Sequence, residues 1–130
     1  MSETIHPPEW PRPSGYANGM AARGRFLAIS GQIGWNERND LVSPEFLEQA
    51  LQALRNVVTV LRAAGGAPEH LVRLTWYIVD KNDYRAALRK LGKGYREIVG
   101  EHYPAMALVQ VADLLEDVAL VEIEATAILP

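Results

Sequence analysis

A chain of 130 residues, 48% hydrophobic and 22% charged, reads as one soluble globular domain, long enough to bury roughly two-thirds of its unfolded surface. The formal charge of −3, with lysines and arginines scattered beside acids, argues against nucleic acid as a partner, because phosphate binding needs clustered cations. The absence of cysteine excludes disulfides, thiol nucleophiles and cysteine-ligated metal centres, and fits a cytoplasmic setting. No apolar run approaches the roughly 18–20 residues that span a bilayer, and the start of the chain lacks a secretory pattern.

Residues 1–14 are proline-rich and read as an irregular arm with Trp10 as its anchor; residues 15–130 read as the single domain. A short strand is expected over Ala17–Ala22, a turn at Arg23-Gly24-Arg25, and a second strand over Phe26–Ile33. The polar cluster Asn36–Asp40 is a loop. Ser43 suits a helix N-cap and Pro44 its first turn, and Phe46, Leu47, Ala50, Leu51, Leu54, Val57, Val58 and Leu61 then recur on one helical stripe. Gly65-Gly66 and Pro68 end that helix. Leu71–Val79 is rich in strand formers. A second helix capped by Asp80, Asn82 or Asp83 runs to about Val99, its apolar face carrying Ala87, Leu88, Leu91, Tyr95 and Ile98. Gly92 and Gly94 weaken it by roughly 1 kcal/mol each relative to alanine. Strands over Ala105–Ala112 and Ala119–Ile128 close the chain.

The order β-β-α-β-α-β-β predicts an α+β domain with one mixed sheet and two helices on one face. Two helices cover only one face, yet Phe26–Ile29 and Leu74–Val79 are apolar on both sides. Self-association is the simplest way to bury the second face.

Three segments carry a resemblance: Phe26-Leu27-Ala28-Ile29-Ser30-Gly31-Gln32-Ile33, His102-Tyr103-Pro104-Ala105-Met106 and Leu120-Val121-Glu122-Ile123-Glu124-Ala125. In order and wording they resemble the RidA (YjgF) family from about Tyr16 to Ile128. That resemblance implies a chorismate-mutase-like fold, a homotrimer with sites in the clefts between subunits, and hydrolytic deamination of reactive enamines and imines. It also implies roles. Glu122 matches the cleft glutamate that works on the attacking water, Tyr16 the tyrosine that leans over the ligand, and Gly31 a backbone contact within the Ser-Gly-Gln segment. The backbone at Leu108 is a further expected contact.

One departure marks a divergent subgroup. The deaminating members have an arginine directly after Pro-Ala, where it grips the substrate carboxylate with two hydrogen bonds. This chain has Met106, with no donor and no charge, and no arginine within two residues. A neutral or greasy pocket is the expectation, with 2-imino acids disfavoured as substrates unless an arginine from a distant segment replaces the missing grip.

From the strand pattern alone, Glu122 and Glu124 project on one face about 6.5–7 Å apart, either along solvent or into a site. His6, His70 and His102 are scattered without ligand spacing, so no metal is expected. No glycine-rich phosphate loop implies a cofactor, and Ser30 lacks the elbow pattern of a nucleophile. Two readings stand: a deaminase of small enamines or imines with Glu122 as acid/base, or a non-catalytic trimer holding a small metabolite in the same clefts. A ribonuclease role is disfavoured by the acidic charge.

Overall fold

Period-two alternation in the strands and 3.6-residue alternation in the helices meet on one buried layer. The computed structural model describes residues 2–130 and orders them as β1 (Ser2–Ile5), β2 (Gly19–Ala22), β3 (Arg25–Gln32), α1 (Phe46–Ala63), β4 (Leu71–Ile78), α2 (Lys81–Ile98), β5 (Ala105–Gln110) and β6 (Val121–Leu129), with a short 3-10 turn at Pro68–His70. The main sheet has the order β3-β6-β4-β5. Its β3/β6 and β6/β4 pairs are antiparallel and its β4/β5 pair is parallel. The α+β architecture with a mixed sheet and two helices is as the sequence predicts.

The start of the chain is not wholly irregular. Ser2–Ile5 is a strand, paired antiparallel with β2 from Ser2↔Ala22 to Ile5↔Gly19 as a separate two-stranded sheet. The prolines begin only at position 7, so they leave the backbone donors of this strand free to pair. Trp10 is 56% exposed and anchors nothing. The first strand expected at Ala17 starts at Gly19; Ala17 instead forms a lone parallel bridge to Ala105, its N–H donating to the Pro104 carbonyl at 3.1 Å.

Helix α1 begins two residues later than expected. Glu45 takes the N-cap position, and the Ser43 hydroxyl accepts from the Glu45 N–H at 3.0 Å within the preceding turn. Its stripe from Phe46 to Leu61 is buried against the sheet. Helix α2 is capped as expected by Asp80, whose carboxylate accepts from the Asn82 N–H at 2.9 Å. Gly94 is where the helices touch: a Cβ there would overlap the Leu51 side chain of α1. The glycine that weakens α2 locally is what permits the close approach.

Strand β6 shows the layering most clearly. Val121, Ile123, Ala125, Ala127 and Leu129 are buried toward the helices, while Glu122, Glu124, Thr126 and Ile128 point to the opposite face. On that uncovered face Phe26 is 66% exposed and Val109 is also exposed. No helix among the described residues is long and apolar enough to cross a membrane.

One polar residue sits inside the apolar stripe of α1. Gln49 is fully buried; its amide NH2 donates to the Ser43 carbonyl (3.0 Å) and the Val118 carbonyl (3.1 Å), and its oxygen accepts from the Leu120 N–H (2.8 Å). It ties the entry to α1 to the segment that enters β6. Substituting Gln49→Leu removes the fully buried partner of the Ser43 and Val118 carbonyls and the Leu120 N–H, which should lower stability by about 1–3 kcal/mol. Urea denaturation checks this: a midpoint unchanged from wild type would show that those groups find other partners.

Candidate functional site

The residues singled out from sequence fall into two clusters. The first lies between α2 and β5. Met106 and Leu108 pair in register with Leu74 and Trp76 of β4, whose side chains are buried on the helix side of the sheet. They therefore face α2, and with Tyr16 they line a cavity of about 900 Å³. The Ala17–Ala105 bridge brings the Pro13–Tyr16 segment over the mouth of this cavity. Tyr84 packs edge-on against Trp76 (centroids 6.5 Å, planes at 75°), and Tyr103 stacks on Tyr95 (5.3 Å, 11°). The Tyr95 hydroxyl donates to the His102 carbonyl at 2.6 Å, which fixes the turn before Pro104. The indole N–H of Trp76 is buried without an acceptor among the described residues.

Sequence reasoning missed one member of this cavity. Arg96 lines it, so the pocket is not without a cation as the Met106 substitution had suggested. The signal was present in the helix spacing. Tyr84, Leu88, Gly92 and Arg96 recur every four residues and so share one face of α2. That row, rather than β5, carries the charge.

The second cluster lies on the other face, at the β3/β6 pair. The register passes from Ile29↔Ala125 to Gln32↔Ile123, so β3 spends one more residue than β6 in covering the same length. This β-bulge sits at Ser30-Gly31. A Cβ on Gly31 would overlap the Glu122 carboxylate, so the glycine lets that side chain lie directly against the bulge. Helix α1 braces the segment just beyond the bulge: the Asn56 amide donates to the carbonyls of Ile33 (3.1 Å) and Trp35 (2.7 Å).

The two glutamates of β6 are not equivalent. The Tyr77 hydroxyl donates to Glu124 at 2.6 Å, while Glu122 has no hydrogen-bond or ion-pair partner among the described residues. Within one chain, then, Glu122 with Gly31 and Tyr16 with Met106 and Leu108 lie on opposite faces of the sheet. No group of three or more histidines, acids or cysteines that could hold a metal occurs among the described residues.

The bond to Glu124 is the first cause holding the Tyr77 phenol above its ordinary value of 10.0, followed by partial desolvation and the negative charges of Glu124 and Glu122. A phenol raised in the folded state stabilises the protein fully below the unfolded tyrosine value, and that stability is lost as pH rises through the folded value. In a spectrophotometric titration of phenolate, Tyr77→Phe should remove one late-ionising tyrosine from a set that also holds Tyr84 and Tyr95, both raised by burial, and Glu124→Gln should move that one back toward free tyrosine. An unchanged number of late-ionising tyrosines in Tyr77→Phe would assign the shift elsewhere.

Comparison with known proteins agrees with this architecture. The family model described as Endoribonuclease L-PSP matches residues 11–129. A RutC family protein of Pyrococcus horikoshii is 35% identical, covering 98% of each chain. The Escherichia coli 2-iminobutanoate/2-iminopropanoate deaminase is 34% identical, also over 98% of each. A Yersinia pestis crystal structure of the Rid protein YyfB superposes with a TM-score of 0.85 at 34% identity, covering 98% of both chains. With nearly its whole length matched in sequence and in fold, the chain belongs to the RidA (YjgF) family.

Proposed function

We propose that this protein is a hydrolytic deaminase of reactive enamines or imines, acting as a homotrimer in the cytoplasm with its sites between subunits. The observation that carries this reading is the division of the site residues between two faces of one sheet. A second copy laid against the uncovered face brings Glu122 and Gly31 of one subunit to the Tyr16, Met106 and Leu108 cavity of the next. The same contact buries Phe26 and Val109, which are exposed in a lone chain.

The chemistry needs one mobile proton and two places for polar atoms. Water adds to the C=N carbon while its proton passes to Glu122. The resulting carboxylic acid gives that proton to the nitrogen, forming a carbinolamine; Glu122 then takes the carbinolamine hydroxyl proton and delivers it to the amine, the C–N bond breaks, ammonia leaves, and the C=O forms. Glu122 suits this role because no side chain competes for its carboxylate, whereas Glu124 is engaged by Tyr77. Backbone groups at Gly31, opened by the bulge, and at Leu108 orient the substrate. On β5 nothing charged meets the ligand, so small 2-imino acids lose the clamp from that strand and become poor substrates.

Two measurements test this reading. Glu122→Gln should abolish turnover of a neutral imine generated in place, while Glu124→Gln should retain most of it; equal rates for wild type and Glu122→Gln would remove Glu122 from the chemistry. Equilibrium sedimentation at micromolar concentration should give the mass of a trimer, and a stable species of 14.4 kDa would sink the inter-subunit site.

A further inference from the structure

We infer that Arg96 is the anion-binding group of the α2–β5 cavity, supplying from the helix the charge that β5 lacks, and that the ligand is a carboxylate-bearing imine with a bulky apolar or aromatic body. The imine rests on the deaminase reading; the carboxylate and the apolar body rest on the cavity itself.

Arg96 is the one charged residue lining the cavity among the described residues, and no carboxylate lines it. Its guanidinium makes no ion pair among those residues. The nearby Glu101 carboxylate is engaged by the Tyr103 hydroxyl at 3.1 Å. The arginine side chain folds back one helical turn. Its Nη1 stands 3.5 Å from the point a Cβ of Gly92 would occupy, so it lies over the turn of α2 that has no side chain. Gly92 lines the cavity too. The guanidinium is thus carried back from its own Cα along the groove, with its donors unclaimed by protein acids. A planar guanidinium in that setting takes a carboxylate through two parallel hydrogen bonds.

The walls define the remainder of the ligand. Leu88 is 52% exposed and Met106 half-buried, and both present hydrocarbon to the cavity beside Tyr84 and Tyr103. The aromatic rings are held in place by Trp76 and Tyr95, so they offer fixed faces and edges to a flat or branched apolar group. Tyr84, Leu88, Gly92 and Arg96 span twelve residues of helix, about 18 Å at 1.5 Å per residue. In the lone chain this open groove encloses about 900 Å³, part of which a neighbouring subunit takes in the proposed trimer, and its hydrocarbon and aromatic walls are what fit an apolar body. Methionine at 106 contributes an adaptable apolar surface where a second cation would restrict the body of the ligand.

Calorimetric titration of the full chain with phenylpyruvate, the oxo acid left by deamination of an aromatic imino acid, and with its methyl ester separates charge from shape. Arg96→Gln should weaken phenylpyruvate about ten- to a hundredfold and leave the ester unchanged, and Arg96→Lys should recover part of the loss. Pyruvate, which keeps the charge and lacks the apolar body, should bind wild type at least about tenfold more weakly than phenylpyruvate. Arg96 is on the surface, so matching urea midpoints will confirm that these variants fold. Equal phenylpyruvate affinity in wild type and Arg96→Gln, or equal losses for acid and ester, overturns the anion site; equal binding of pyruvate and phenylpyruvate overturns the bulky body. Arg96-dependent binding without turnover of any imine would leave the anion site standing and end the deaminase reading. Turnover of the aromatic imino acid that Arg96→Gln does not slow would do the reverse.

Discussion

A four-stranded sheet with helices on one side has to do something with the other side, and most of the molecule's chemistry follows from that. Strand β6 is central in the sheet and alternates without interruption: five apolar residues go to the helices, and Glu122, Glu124, Thr126 and Ile128 go to the uncovered face. Because side chains repeat every two residues, a one-residue slip would bury both glutamates under α1 and expose Ile123 and Ala125. The cost of an unpaired buried carboxylate makes that register unfavourable. The packing of the core therefore fixes which surface carries the acid. The parallel partner β5 is held in the same frame by β4, so Met106 and Leu108 are committed to the opposite surface by the same rule.

This alternation also explains why the bulge in β3 matters. A regular β3 would continue its pairing past Ile29 and hold every backbone group in the ladder. The extra residue at Ser30-Gly31 breaks that ladder beside Glu122 and frees main-chain groups on the exposed face. It persists because Asn56 of α1 takes the carbonyls of Ile33 and Trp35, themselves close to α1 in space and far in sequence. Gln49 performs the same service for the segment that enters β6. Two amide side chains on one helix thus hold the two backbone segments that approach Glu122, one from β3 and one from the entry to β6.

Much of this was legible in the sequence, and what was not has particular causes. The stripe of α1, the strand formers of β4, the Asp80 cap and the Glu-x-Glu alternation each announce a local structure that the tertiary fold keeps. Strand β1 was hidden because four residues are too few to show a period, and the prolines that follow dominate the composition of the segment. The N-cap of α1 moved because Ser43 can satisfy a turn N–H just as well as a helical one. Gln49 and Asn56 look like ordinary polar interruptions of a helix; their partners lie in loops whose approach no local pattern encodes. Position 106 by itself leaves the charge of the cavity open to an arginine from a distant segment, and no local pattern says that Arg96 of α2 is the one that lines it.

The proposed anion role of Arg96, set beside Met106, amounts to a site rebuilt within an unchanged fold. An arginine on β5 projects from a strand whose neighbours fix it at both ends, so its reach is short and its partner must come to it. An arginine on the outer row of α2 has solvent on one side and a glycine one turn back, and its long stem can lie along the helix until the guanidinium meets the groove. The hydrocarbon that Met106 puts in its place is compressible in shape, since three rotatable bonds let it follow whatever lies against it. On that proposal, a cation on the helix rather than the strand would keep a positive potential in the cavity while giving the space beside β5 to an apolar group. Within a fold whose sheet register cannot slip, exchange of charge between facing walls is the route left open for changing what the site accepts.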